Sequence, residues 1–416
     1  MQISKFFSKC KTLFHHLKGD KEKQAHRFLQ EALGHYENGR YVQTGEVARA
    51  GLQYASDNNE LAARLYALLA TSENQSSNHA AASNAATSGL SLSISDEDLL
   101  AWLYFAKARA ERLLGHYASA HEAAEAGLDA HSSNEARVSS LFYELAHSSR
   151  MLGRHDKARE AAEKALALPQ ENNELRAWLY YEHAHALREI GKSEEAKEAA
   201  GMGLLLAHNN QELKAWLYFE LAHTFRLIGH YARAEAGAAS GLSLVQGNQE
   251  LKGRLLYEQA VALRLLEQYE EAEECASSGL EIEGINEERK SWFYYERAHN
   301  FRMLGQHRGA REAAKAGLQP NISPFLRAWL YYALAHSSRL LELYEEAEEA
   351  SSAGVKLDHS DLELKAWLCY ELASASRILG NKEQTIGAAQ KGLLLEQKNG
   401  QLKEWLSIEL FEAQKK

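Results

Sequence analysis

The sequence predicts an all-α solenoid, a row of antiparallel helix pairs repeated about ten times, and three observations carry that expectation. The 416 residues include only 3 prolines and are rich in Ala, Leu, Glu and Ser, so strong helix formers run through most of the chain. All seven tryptophans, Trp102, Trp178, Trp216, Trp292, Trp329, Trp367 and Trp405, fall on one 38-residue register, with a single 37-residue step between Trp292 and Trp329. A glycine recurs thirteen residues after that column, at Gly39, Gly115, Gly153, Gly191, Gly229, Gly305 and Gly380, with Glu267 and Glu342 in its place in two repeats. A fixed period of this kind is the signature of a repeat array. A globular chain of this length splits into domains, whereas an array grows in one dimension.

Taken in order, residues 1–24 form a basic amphipathic segment. Phe6, Phe7, Cys10, Leu13, Phe14 and Leu17 share one helical face, with Lys5, Lys9, Lys11 and Lys18 around it. The segment reads either as a cap over the end of the array or as a dock for a membrane or partner. Residues 25–397 hold the ten repeats. Repeats two to ten open on a capping residue, Asn58, Asp96, Asn134, Asn172, Asn210, Asn248, Asn286, Ser323 or Asp361, with Asn399 in the same slot before the C-terminal helix, and the first helix follows directly over about 16 to 18 residues. Gly229 and its equivalents stop that helix by taking a left-handed conformation. The second helix, opened by Tyr231, carries Gly241-Leu242 and its equivalents. Glycine inside a helix costs roughly 1 kcal/mol relative to Ala, so a neighbouring helix is expected to cross closely there. Exchange of Gly241 for Ala is expected to gain propensity, and exchange for Leu to overpack. Residues 398–416 read as a C-terminal capping helix.

The residues Tyr218, Leu221, Ala222, Phe225, Gly229, Tyr231, Ala234, Gly241 and Leu242 resemble the pattern of the tetratricopeptide repeat family, and the match recurs through residues 25 to 416. The unit is longer than the family's usual 34 residues, because the capping column starts the first helix about one turn early. The resemblance implies a right-handed superhelix whose first helices line a concave groove.

At about 100° per residue, one side of the first helix is apolar and the other carries four columns. With the Trp column at zero, the Tyr/Phe column three residues on lies at about 300°. It holds Phe105, Tyr143, Tyr181, Phe219, Tyr257, Tyr295, Tyr332 and Tyr370. The His column seven residues on lies at about 340°, with His147, His185, His223, His299 and His336. The Arg column ten residues on lies at about 280°, with Arg112, Arg150, Arg188, Arg226, Arg264, Arg302, Arg339 and Arg377. A Glu column four residues on, at about 40°, holds Glu144, Glu182, Glu220, Glu258, Glu296 and Glu371. The resemblance places Trp, Tyr, His and Arg on the groove side, where they make a candidate ligand surface starting at Trp102. Each column also has a packing reading: Trp and Tyr between neighbouring helices, and Arg in a ladder with Glu of the adjacent repeat.

The formal net charge is −10, and residues 1–27 alone carry +5, which argues against a uniformly basic nucleic-acid binder. Three unpaired cysteines fit a reducing, cytoplasmic setting and exclude a disulfide scaffold. Single histidines one repeat apart lack a chelating pair for a metal. No catalytic motif or cofactor site stands out. The expectation is a non-catalytic scaffold that binds an acidic or aromatic-rich protein or peptide. RNA or nucleotide binding through the same Arg and aromatic columns, and self-assembly into a structural array, are the alternatives.

Overall fold

Capping chemistry sets the helix boundaries. The computed structural model describes residues 20–169, 171–395 and 398–415. The amphipathic face of residues 1–18 lies outside the described residues. Twenty-one helices form among those described, and odd-numbered helices are the first of each pair. They are α1 (Asp20–Glu37), α2 (Tyr41–Leu52), α3 (Asn59–Gln75), α4 (His79–Leu90), α5 (Glu97–Leu113), α6 (Tyr117–Asp129), α7 (Glu135–Met151), α8 (His155–Ala167), α9 (Asn173–Glu189) and α10 (Ser193–Leu206). There follow α11 (Gln211–Leu227), α12 (Tyr231–Leu242), α13 (Gln249–Leu265), α14 (Tyr269–Leu280), α15 (Glu287–Met303), α16 (His307–Gly317), α17 (Pro324–Leu340), α18 (Tyr344–Val355), α19 (Leu362–Ile378), α20 (Lys382–Leu394) and α21 (Gly400–Lys415). None of them is long and apolar enough to cross a membrane.

Nine of the first helices, α3 to α19, are each 17 residues long. They begin one residue after the capping column, whose side chains accept from the backbone three residues on. Asn58 accepts from Leu61 N at 3.0 Å and Asn210 from Leu213 N at 2.9 Å. The early start of the first helix is therefore real. The cap also reaches backwards, since Asn58 Nδ2 donates to Glu22 and Asn210 Nδ2 to Glu174, both at 2.8 Å. The first pair starts earlier than the register boundary at residue 25, with α1 opening at Asp20.

The turn after each first helix needs a left-handed residue. Gly229 has φ +81° and Gly380 +84°, and Glu267 and Glu342 adopt +62° in the same place. Ser77, also at +62°, fills this position in the second repeat, a third non-glycine substitute that its residue type alone does not single out.

The described residues fall into two compact units, divided between Leu213 and Lys214 in the first turn of α11. Within each unit the helices of a pair pack together, each second helix packs on the following first helix, and successive first helices lie side by side. Alanines on the second helices, such as Ala158 and Ala162 or Ala234 and Ala238, are fully buried and let the helices approach. The Gly-Leu column sits at the tightest point. A Cβ on Gly241 would lie 2.7 Å from Leu255 Cδ2 of the next repeat and 3.2 Å from Tyr218 Cβ of its own. The expected close crossing is present, and the propensity that Ala would gain there is set against a steric contact. Even one methyl group meets a fully buried leucine, and that offsets the propensity gained. At Gly279 the facing residue is the fully buried Phe293, whose ring takes the whole volume a Cβ would need.

Candidate functional site

The tryptophans pack as an aromatic ladder with one edge open. Trp102 is buried and donates from Nε1 to Thr71 Oγ1 at 3.0 Å. Trp178, Trp216, Trp292, Trp329 and Trp367 are half-buried. Each meets the Tyr or Phe of its own helix edge-on, as with Trp292 and Tyr295 at 5.9 Å between ring centres and 87° between planes. In the second unit each tyrosine also meets the next tryptophan: Tyr257 with Trp292 at 6.0 Å, Tyr295 with Trp329 at 5.7 Å and Tyr332 with Trp367 at 6.0 Å. Such contacts add to the burial of apolar area. Burial pushes the Tyr332 hydroxyl up to about 12, and it likewise raises Tyr143, Tyr181's counterpart one repeat earlier, together with Tyr257 and Tyr295.

Where the column lacks Trp, an arginine covers the preceding ring. Arg254 stands in the Trp column of α13, and its guanidinium lies 5.7 Å from the Trp216 ring centre and 5.8 Å from that of Phe219. In α7 the column residue is Ser140, and Arg137 covers Trp102 at 4.8 Å instead.

The Arg column resolves into a ladder of ion pairs between repeats. Arg112 binds Glu144 at 2.5 Å, Arg150 binds Glu182 at 2.6 Å, Arg226 binds Glu258 at 2.7 Å, Arg264 binds Glu296 at 2.6 Å and Arg339 binds Glu371 at 2.6 Å. Arg377 closes the series on Glu409 at 2.5 Å. Every one of these carboxylates is buried, and the first five arginine side chains keep between 14 and 21 % of their surface. Of the two readings of the column, the ladder with Glu of the adjacent repeat is the one formed at these six positions, and their charge is met by carboxylate. The polyanion reading of the column loses the feature it rested on. Arg188 bonds to Glu189 of its own helix at 2.5 Å and approaches His185 at 2.8 Å.

Three rungs are two-pronged. His147 with Arg150 holds Glu182, His223 with Arg226 holds Glu258, and His336 with Arg339 holds Glu371, the imidazole nitrogen lying 2.8, 2.9 and 2.8 Å from the carboxylate. Burial alone would raise these carboxyls, but the paired guanidinium and imidazole override it and hold Glu182 and Glu258 down at about 2, with Glu371 also lowered. At Glu296 the histidine position is Val261, so Arg264 acts alone; burial wins and that carboxyl is raised.

One column escaped the sequence reading. After six of the eight arginines the next residue is apolar and exposed: Leu113, Met151, Leu227, Met303, Leu340 and Ile378 keep between 41 and 50 % of their surface. Eleven residues after the Trp column, it lies at about 20° on the helical wheel, on the Trp side and well away from the packed face. Its recurrence was visible in the sequence. A single apolar residue at the end of a helix simply reads as core unless its angle is checked.

No protein-family model and no curated protein matches the chain by sequence. Solved structures do match. The apo form of the quorum sensor NprR from B. thuringiensis superposes with a TM-score of 0.58 at 16% identity, over 81% of this chain and 99% of that one. The apo form of RapI gives 0.55 at 15% identity over 86% and 98%. The APC/C hetero-tetramer Cut9-Hcn1 gives 0.50 at 12% identity over 93% and 90%. At these identities the likeness is one of fold, and the fold is that of tetratricopeptide repeats.

Proposed function

We propose that this tetratricopeptide-like chain is a non-catalytic scaffold that binds a protein or peptide along the open face of its first helices. The observation that carries the reading is the exposed apolar column, repeated at one register on the same helical side as the half-buried tryptophans and about 16 Å further along each helix. Exposed apolar residues gathered on one surface signal a contact site, and these leave close to half of their surface open to solvent. The fold supports the same reading, since Cut9 is solved in a hetero-tetramer with Hcn1 and NprR is described as a quorum sensor. Within the second unit Trp292, Trp329 and Trp367 would supply the flat apolar walls, and Met303, Leu340 and Ile378 further along the same helices the adaptable contacts.

The test uses the full chain and a library of random peptides displayed on phage. Wild type should enrich a set of related sequences. The triple change Met303→Asp, Leu340→Asp and Ile378→Asp should abolish that enrichment while leaving the melting temperature within a few degrees, because exposed positions contribute little stability. Equal enrichment by the triple variant, or none by wild type, overturns the reading.

A further inference from the structure

The ladder has one rung without a carboxylate. The first helices place Arg at a fixed position and Glu at the facing position of the next repeat, but after α15 that facing position is Ala333. Ala333 is buried and packs with Ala298 and Leu334. Arg302 therefore has no acidic partner among the described residues, unlike the six arginines already paired.

The donors there are arranged as at the complete rungs. Arg302 Nη2 lies 3.4 Å from His299 Nδ1, against 3.3 Å for the ring nitrogens in the pairs Arg150–His147 and Arg226–His223. The guanidinium sits over the next tyrosine at 5.9 Å from the Tyr332 ring centre, against 5.5 Å for Arg150 over Tyr181 and 5.6 Å for Arg339 over Tyr370. The bed is built, and the side chain that would reach into it has been cut back to a methyl group. Burial, with Arg264 and Arg302 close by, drives His299 down to about 3. Both residues are partly exposed, and Met303, next to Arg302 in sequence, belongs to the exposed apolar column.

We propose that Arg302 and His299 form a carboxylate-recognition site, in which one acidic group of a bound peptide takes the position that a glutamate of the next repeat fills elsewhere in the ladder. The ligand is a peptide with a carboxylate next to an apolar residue, the latter lying on Met303. The carboxylate is either an Asp or Glu side chain or a free C-terminus. Arg meets either through paired hydrogen bonds, stronger in a site partly screened from water. One rung in the array thus fixes the register of a ligand that the repeated apolar column alone would let slide. The inference rests on the proposed peptide-binding role.

The test returns the missing glutamate. Ala333→Glu should rebuild the internal rung, keep or raise the melting temperature, and block the site. The full-length protein, Ala333→Glu and Arg302→Gln are panned against two phage libraries, one with internal random peptides and one ending in a free carboxylate. Wild type should enrich sequences carrying one acidic residue beside an apolar one, or free C-termini, and the successful library identifies the source. A synthetic peptide of the enriched sequence should bind at least tenfold more weakly when its carboxylate is replaced by the amide, and at least tenfold more weakly to either variant. Enriched peptides without a carboxylate, or peptides bound equally by Ala333→Glu, overturn the inference and leave the scaffold reading intact. If wild type enriches nothing, the scaffold reading itself fails.

Discussion

Arg226 Nε donates to Glu258 Oε2 at 2.7 Å, from one first helix to the next, and the carboxylate it meets is buried. A buried charge that loses its partner costs about 3 kcal/mol or more. Glu258→Gln should therefore lower the denaturation midpoint by an amount equivalent to about 3 kcal/mol, measured by circular dichroism in urea. A shift under a quarter of that would show the rung to be worth no more than an exposed ion pair.

Acid should act through the same rungs. Glu182 and Glu258 have folded-state values of about 2, below their ordinary 4.5, and Glu371 is shifted the same way. A lowered carboxyl value stabilises the fold fully above the unfolded-state value and ceases to do so as pH falls through the folded one. Stability from these three groups should hold down to about pH 4.5 and drain away towards pH 2. Tm measured across that window should fall more steeply for wild type than for the Glu182→Gln, Glu258→Gln double variant.

Glu296 should behave in the opposite sense. Its carboxyl is raised because burial outweighs Arg264, so ionising it works against the fold, and the neutral form is favoured until pH passes the raised value. Glu296→Gln should cost far less than Glu258→Gln at neutral pH, although both residues occupy the same column and are equally buried. Equal losses in the two urea titrations would refute this.

The Gly-Leu column should rank by what faces it. Gly241→Ala meets the methyl groups of Leu255 and should cost around 1 kcal/mol, with Leu255→Val relieving the contact. Ala165, the one natural alanine in the column, shows that the stack accepts a Cβ opposite a leucine. Gly279→Ala meets the ring of Phe293 and should cost roughly 2–3 kcal/mol. Reversal of that order in chemical denaturation would mean that the backbone relaxes around the ring.

Arg254 interrupts the tryptophan column while covering Trp216. Arg254→Trp should extend the aromatic run and raise stability by roughly 0.5–1 kcal/mol, the scale of one aromatic pair. A lower melting temperature would show that the guanidinium and its pairing with Glu250 at 2.9 Å matter more.

What could be read from sequence and what could not divides along a physical line. The period, the caps at Asn58 to Asn399 and the glycine turns are demands of the local backbone, and each appears as a residue type at a fixed offset. The partner of Arg226 was legible only as one of two alternatives. Its angle on one helix and that of Glu258 on the next were both available, yet the choice between ligand surface and ladder turns on the rotation and spacing of two helices that no single-helix projection contains. The unfilled rung at Arg302 follows from the same source, because Ala333 means nothing until its neighbours are known to be glutamates in service. The cost of a methyl at Gly241 depends on where Leu255 points, and that too is a matter between repeats.

The direction of the ladder bears on how the chain is made. In all six rungs the arginine comes earlier in sequence and the glutamate 32 residues later. A nascent repeat thus leaves the ribosome presenting a cation, which water and a long flexible side chain tolerate. The carboxylate destined for burial arrives roughly 2 to 6 s afterwards at ordinary synthesis rates and finds its guanidinium waiting. Vectorial synthesis and the order of charges therefore run the same way, and the array can set behind the ribosome one rung at a time.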